Sequence, residues 1–198
     1  MLKLEARPQP SAFWGYASPV LALAITVLIG TALFIALGKD PLRGLGVFFW
    51  EPLRTPYALG ELMVKATPLL IVALGLAVCF RSNVWNIGAE GQFVIGAICA
   101  GGVALLAGKG TGGWIVVPIL LAGILGGMLW ASIVALLRDR FNASEILVSL
   151  MLVYVAQQLL NYLVFVPWKD PGGFNFPQTK TFDASTWLPT LLPGSRLH

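Results

Sequence analysis

Residues Pro19–Gly38 read PVLALAITVLIGTALFIALG, a run with no charged side chain. A helix rises about 1.5 Å per residue, so this run reaches across the roughly 30 Å hydrocarbon core of a bilayer. Apolar residues follow one another without the strict alternation of a barrel strand. Hydrocarbon offers backbone groups no water, so a helix that bonds its own N–H and C=O groups is the natural spanning form.

Working outward, the same reasoning predicts spanning helices at Leu62–Phe80, Gly88–Gly108, Trp114–Leu137 and Ile146–Val166. Composition agrees: 57% of residues are hydrophobic and 11% charged, with a mean hydropathy of +0.80. Soluble domains carry about 25% charged residues. The expected fold class is all-α, a polytopic transmembrane helical bundle of about five spans plus an interfacial segment. It is read as a single membrane domain over residues 1–198. The apolar stretch continuing from Pro8 is too long for a signal peptide and reads as a retained helix, preceded by a tail with Lys3 and Arg7. Pro68 and Pro118 are expected near the starts of their helices, where proline does least harm.

Lys39–Glu61 mixes charges with Phe48, Phe49, Trp50, Pro52 and Pro56. It reads as an interfacial segment with aromatics at headgroup level. Residues 167–198 carry five prolines and the glycine pair Gly172–Gly173, and read as an extramembrane loop. With a cytoplasmic N-terminus, the inner loops hold Lys3, Arg7, Arg81, Arg138 and Arg140, fewer basic residues than the outer side. Loop charge alone therefore favours the reverse orientation.

Several function classes fall away. The net charge of +4 comes from scattered basic residues, which gives no surface for nucleic acid. The only histidine is His198, and Cys79 and Cys99 each sit in an apolar run, so no metal or disulfide framework is expected. GKGTGG at 108–113 fails the phosphate-loop spacing, with Val103 at the first glycine position and Gly110 after the lysine. No nucleophile elbow and no pair of acids on one intramembrane face is present, so no catalytic residues are expected.

Three groups of residues remain. Gly123, Gly127, Ala131 and Ala135 recur every four residues as a ridge for close helix packing, on a face with no polar partner for a substrate groove. Tyr154, Gln157, Gln158 and Asn161 share a helix stripe, expected to face the bundle interior or a wet cavity. That stripe serves either interhelical hydrogen bonds, each about 0.6 kcal/mol, or the lining of a solute path. In NVWNIGAEGQFVIGA, Asn83–Ala97, either Asn83 or Asn86 is expected to cap a helix whose first turns hold Glu90 and Gln92. Arg81 is a possible partner of Glu90. The segment is a capped helix start or a broken helix that binds or gates a solute.

Two stretches carry a family resemblance. VKATPLLIVALGLAVCFRSNVWNIGAEGQFVIGA, Val64–Ala97, resembles permease subunits of bacterial ABC importers in the branched-chain amino acid/ribose family. The string Asn86–Gln92 is most similar to the nucleoside and simple-sugar branch, and NASEILVSLMLVYVA, Asn142–Ala156, resembles that branch's N-E-V-I-x-T-L-M-L-N-Y pattern. Where the pattern has asparagine before the tyrosine, this chain has Val153, which moves weight to Tyr154, Gln157 and Gln158. The resemblance implies a multi-pass protein of the bacterial inner membrane. It implies a second permease subunit, ABC ATPase subunits that bind the ATP, and an extracytoplasmic solute-binding protein as partners. It also implies a cytoplasmic N-terminus and an outer location for residues 167–198. Family members are longer, so the chain is expected to be the N-terminal part of a permease and not to transport alone. The other expectations kept open are an ATP-independent transporter or channel, with Glu90 as its coupling group, and a non-transporting membrane fragment.

Overall fold

The computed structural model describes residues 11–108, 110–174, 176–191 and 196–197. The tail with Lys3 and Arg7, Lys109 of the glycine-rich loop and His198 lie outside the described residues. The chain divides into two compact units, Met1–Met63 and Val64–His198.

In the first unit α1 spans Ala12–Ala36. It starts a full two turns before the expected Pro19, which lies inside the helix. Its apolar side chains are exposed on all sides, Leu28 at 68% and Leu33 at 58%. A helix that is apolar all round and unburied needs lipid as its solvent. Thr26 and Thr31 each donate to the carbonyl four residues back, Ala22 O and Val27 O, at 2.8 Å. The hydroxyls are thereby satisfied without water. Gly38, at φ +67°, stops the helix: its N–H donates to Ile35 O and that of Lys39 to Phe34 O.

The Lys39–Glu61 segment forms α2, Pro41–Phe49, α3, Glu51–Arg54, and the first turns of α4, Pro56–Arg81. The Asp40 carboxylate accepts from Leu42 N and Arg43 N, and proline occupies the first position of α2. Pro56 begins α4 in the same way, with Thr55 Oγ1 accepting from Ala58 N at 3.1 Å. Because α4 starts there rather than at Leu62, Pro68 falls mid-helix, which corrects the expectation that it lies near the start. Pro118 does sit in the first turn of its helix.

The second unit holds the rest of α4, then α5, Ala89–Leu106, α6, Val116–Phe141, and α7, Glu145–Phe165. Among the described residues five helices, α1 and α4–α7, are long and apolar enough to cross a membrane. No strand occurs among the described residues, only an isolated bridge between Lys169 and Thr179. The protein is a multi-pass, all-α membrane protein.

α5 packs on both α6 and α7. The expected ridge makes the α5–α6 contact: a Cβ on Gly96 would stand 2.9 Å from Gly123 O, and one on Gly127 would stand 3.2 Å from Gln92 O. Only glycine lets the two backbones approach this closely. On the other flank, a Cβ on Gly91 would lie 3.0 Å from Val153 Cα. Ile95, Ile98 and Ala156 form the small buried core, with Val94, Cys99, Trp130, Leu160, Leu163 and Trp168 packed around it. After α7 the chain folds back. Lys180 N–H donates to Trp168 O at 2.9 Å, Asp170 N–H donates to Gln178 O at 3.0 Å, and the Trp168 ring covers Gly102 near the end of α5.

Candidate functional site

The segment between α4 and α5 has no regular secondary structure, so its N–H groups need partners from elsewhere. Asn83 does not cap α5. It takes the left-handed conformation, φ +55°, that ends α4, with Val84 N–H donating to Cys79 O and Asn83 N–H to Phe80 O. The residue at the α5 cap position is Gly88, whose N–H is taken by Asn86 Oδ1 at 2.9 Å. Asn86 thus braces the turn before α5 instead of capping the helix itself. Its amide also pairs reciprocally with Gln92: Asn86 Nδ2 donates to Gln92 Oε1, and Gln92 Nε2 donates to Asn86 Oδ1, both at 3.3 Å.

α7 supplies the remaining partners. Ile87 N–H donates to Ser149 Oγ at 3.2 Å, and the Ser149 hydroxyl in turn donates to Ile146 O at 3.2 Å. Ser149 is fully buried, and a Cβ on Gly88 would meet it at 2.9 Å. Trp85 N–H makes a long 3.5 Å contact with Glu145 Oε1. That same oxygen pairs with Arg138 Nη1 at 3.1 Å, tying the end of α6 to the start of α7 across the left-handed Asn142. Glu90 lies in the first turn of α5 as expected, where the positive helix end favours a carboxylate. Its partner is not Arg81: Glu90 Oε1 accepts from Gln157 Nε2 at 3.1 Å.

The polar stripe of α7 divides. Gln157 turns toward α5 and is half-buried, whereas Tyr154, Gln158 and Asn161 are exposed on the outside of the unit. The face of α7 that packs inward is set by Ser149, Val153 and Ala156, about 100° per residue around the helix. Gln157 sits at the edge of that face, and the other three sit beyond it. The Val153 position is occupied by the close contact with Gly91.

The ridge on α6 is also shared between two environments. Gly123 and Gly127 pack on α5, but Ala131 and Ala135 line a cleft of about 490 Å³ with Asn86, Gln92, Arg138 and Glu145. The expectation that this face lacks polar company is corrected: α5, α7 and the far end of α6 supply it. A cleft of this size, apolar with a few placed polar groups, is the common form of a small-molecule site. Amides both donate and accept, so the Asn86–Gln92 pair suits solutes that carry hydroxyls or ring nitrogens. Arg138, Glu145 and Ser149 were not singled out in the sequence. The spacing of Glu145 and Ser149, four apart on a helix, is the signal that would have placed them on one face.

The two stretches that carried the resemblance, Asn86–Gln92 and Asn142–Ala156, are therefore the two sides of one contact. Residues 58–192 match the family described as branched-chain amino acid transport system / permease component. The chain is 35% identical over 197 residues to a glucose ABC transporter permease protein of Haloferax volcanii, covering 98% of this chain and 51% of that protein. It is 29% identical to a guanosine ABC transporter permease protein of Bacillus subtilis, over 74% of this chain and 42% of the relative. A nucleoside ABC transporter permease protein of Lactococcus lactis is 27% identical over 91% of this chain and 51% of its own length. The chain thus spans about half the length of the curated relatives it matches. No solved structure matches it. The packed glycines, the loop braced on α7 and the family match lead to one statement: this chain belongs to the branched-chain amino acid transport system permease family.

Proposed function

We propose that the chain forms part of the transmembrane permease of an ABC importer for a sugar or nucleoside, set in the bacterial inner membrane. The reading is supported by the relatives' roles and carried by one observation. The polar loop before α5 is held by α7 side chains; Glu90 is joined to Gln157, and the Asn86–Gln92 pair lines an open cleft. ATP is bound by separate ATPase subunits. A second permease subunit and an extracytoplasmic solute-binding protein complete the importer. With the N-terminus in the cytoplasm, the cleft near the starts of α5 and α7 opens inward.

Asn86 and Gln92, which line the cleft, are the groups that would meet a hydroxylated solute, with Glu90 and Gln157 holding α5 to α7 beside them. Binding it requires breaking one of their mutual bonds, which the solute's own hydroxyls replace. Tyr154, Gln158 and Asn161 belong to the outer surface and serve contacts with neighbouring subunits or helices. The test is uptake of labelled glucose and guanosine by cells expressing the full-length permease with its partner subunits. Gln157→Leu removes the hydrogen bond to the Glu90 carboxylate and, if that pair gates the path, lowers uptake severalfold, and Gln158→Leu leaves it within about twofold. Equal uptake by wild type and Gln157→Leu refutes the path. Uptake that survives an inactive ATPase but is lost in Glu90→Gln points to ion coupling instead.

A further inference from the structure

The first unit carries a groove that no part of the transport reading uses. It is lined by Phe34, Lys39, Asp40 and Arg43 at and beyond the end of α1, and by Val47, Phe48 and Pro52 on α2 and α3, and measures about 780 Å³. Gly44 makes it possible: a Cβ there would stand 2.6 Å from the Phe34 ring, so α2 folds directly onto α1.

The two ends of the groove differ in chemistry. Lys39 and Arg43 hold one end, and neither has a charged partner among the described residues. Asp40 lies beside them, its Oδ1 accepting from Leu42 N and Arg43 N at the start of α2, so this end of the groove carries two positive charges against one negative. The other end is apolar and open, with Phe48 73% exposed. The basic end adjoins Gly38, where the spanning helix α1 stops, so the groove sits at the level where a helix leaves the hydrocarbon. A soluble anion would satisfy the cations but leave the aromatic floor in water. A neutral solute would do the reverse. An amphiphile with a phosphate head and an acyl tail matches both ends at once.

We propose that this groove is a binding site for one anionic phospholipid, its phosphate held between Lys39 Nζ and the Arg43 guanidinium and its acyl chain lying over Phe34, Val47 and Phe48. Arginine grips phosphate oxygens in a fork and lysine adds a point charge. The helix pair α1–α2 thus takes a bound lipid as part of its packing.

The test is native mass spectrometry of the delipidated protein titrated with phosphatidylglycerol or phosphatidylcholine of identical chains. One phosphatidylglycerol binds saturably and about tenfold more tightly than phosphatidylcholine. The double variant Lys39→Gln/Arg43→Gln loses that preference, Lys39→Arg/Arg43→Lys keeps it, and Lys169→Gln/Lys180→Gln, two basic residues of the other unit, leaves it intact. Inorganic phosphate at millimolar concentration does not displace the lipid. Equal binding of the two lipids, or an unchanged preference in the double Gln variant, means annular lipid only and overturns the proposal. Displacement by phosphate makes it a free-anion site, and a second copy of the chain bound through α2 makes it a protein interface. Either result also overturns it.

Discussion

Replacing Gly91 by alanine tests whether α5 and α7 are held at backbone contact. The added Cβ would lie 3.0 Å from Val153 Cα and 3.3 Å from Leu152 O, and ordinary van der Waals contact begins near 3.4 Å. Both obstacles are backbone, so no side chain can swing away. The helices must part by about 0.4 Å along this line, and overpacking of this kind costs roughly 1–3 kcal/mol. The strain acts beside two bonds with little slack, Ile87 N–H to Ser149 Oγ at 3.2 Å and Gln157 Nε2 to Glu90 Oε1 at 3.1 Å. Alanine also gains about 1 kcal/mol of helix propensity over glycine, which would mask part of the loss. Gly75→Ala removes that ambiguity, because Gly75 is in the helical body of α4 with nothing within 4 Å. The difference between the two variants isolates the packing term. At about 2–4 °C per kcal/mol for a chain of this size, Gly91→Ala melts roughly 2–12 °C below Gly75→Ala in detergent micelles. Equal melting temperatures would show that α5 and α7 are not in backbone contact, and the braced loop would lose its physical basis.

Two further expectations concern the same loop. Ser149→Ala removes the acceptor of the part-buried Ile87 N–H and lowers stability by about 1 kcal/mol; a melt unchanged from wild type would mean that the loop finds another partner. Arg138 and Glu145 should show a coupling of about 1 kcal/mol in a double-mutant cycle with Gln at each position, weakening as salt rises, because the Arg138 side chain is 42% exposed. Zero coupling at low salt would remove the ion pair as a clasp between α6 and α7.

Length and hydropathy are local properties, and they were enough to predict five helices of spanning length, although the last residues of the Lys39–Glu61 segment, from Pro56, belong to one of them. Helix ends moved where turn chemistry outweighed hydropathy: Thr55 and Pro56 start α4 before its apolar run, leaving Pro68 inside. The ridge of Gly123 and Gly127 was equally legible, because a small residue every fourth position announces a close neighbour. A sequence also states how side chains are arranged around one helix. It does not state how that helix is rotated against the next. Tyr154, Gln157, Gln158 and Asn161 share a stripe, yet the rotation of α7 set by Ser149, Val153 and Ala156 leaves only Gln157 within reach of Glu90. Likewise Arg138 and Ser149 gained their meaning from partners on other elements, Glu145 and the Ile87 backbone. Spans follow from the free energy of moving a single segment out of water, whereas the site depends on pairs of segments meeting, and only the packed helices decide those pairs.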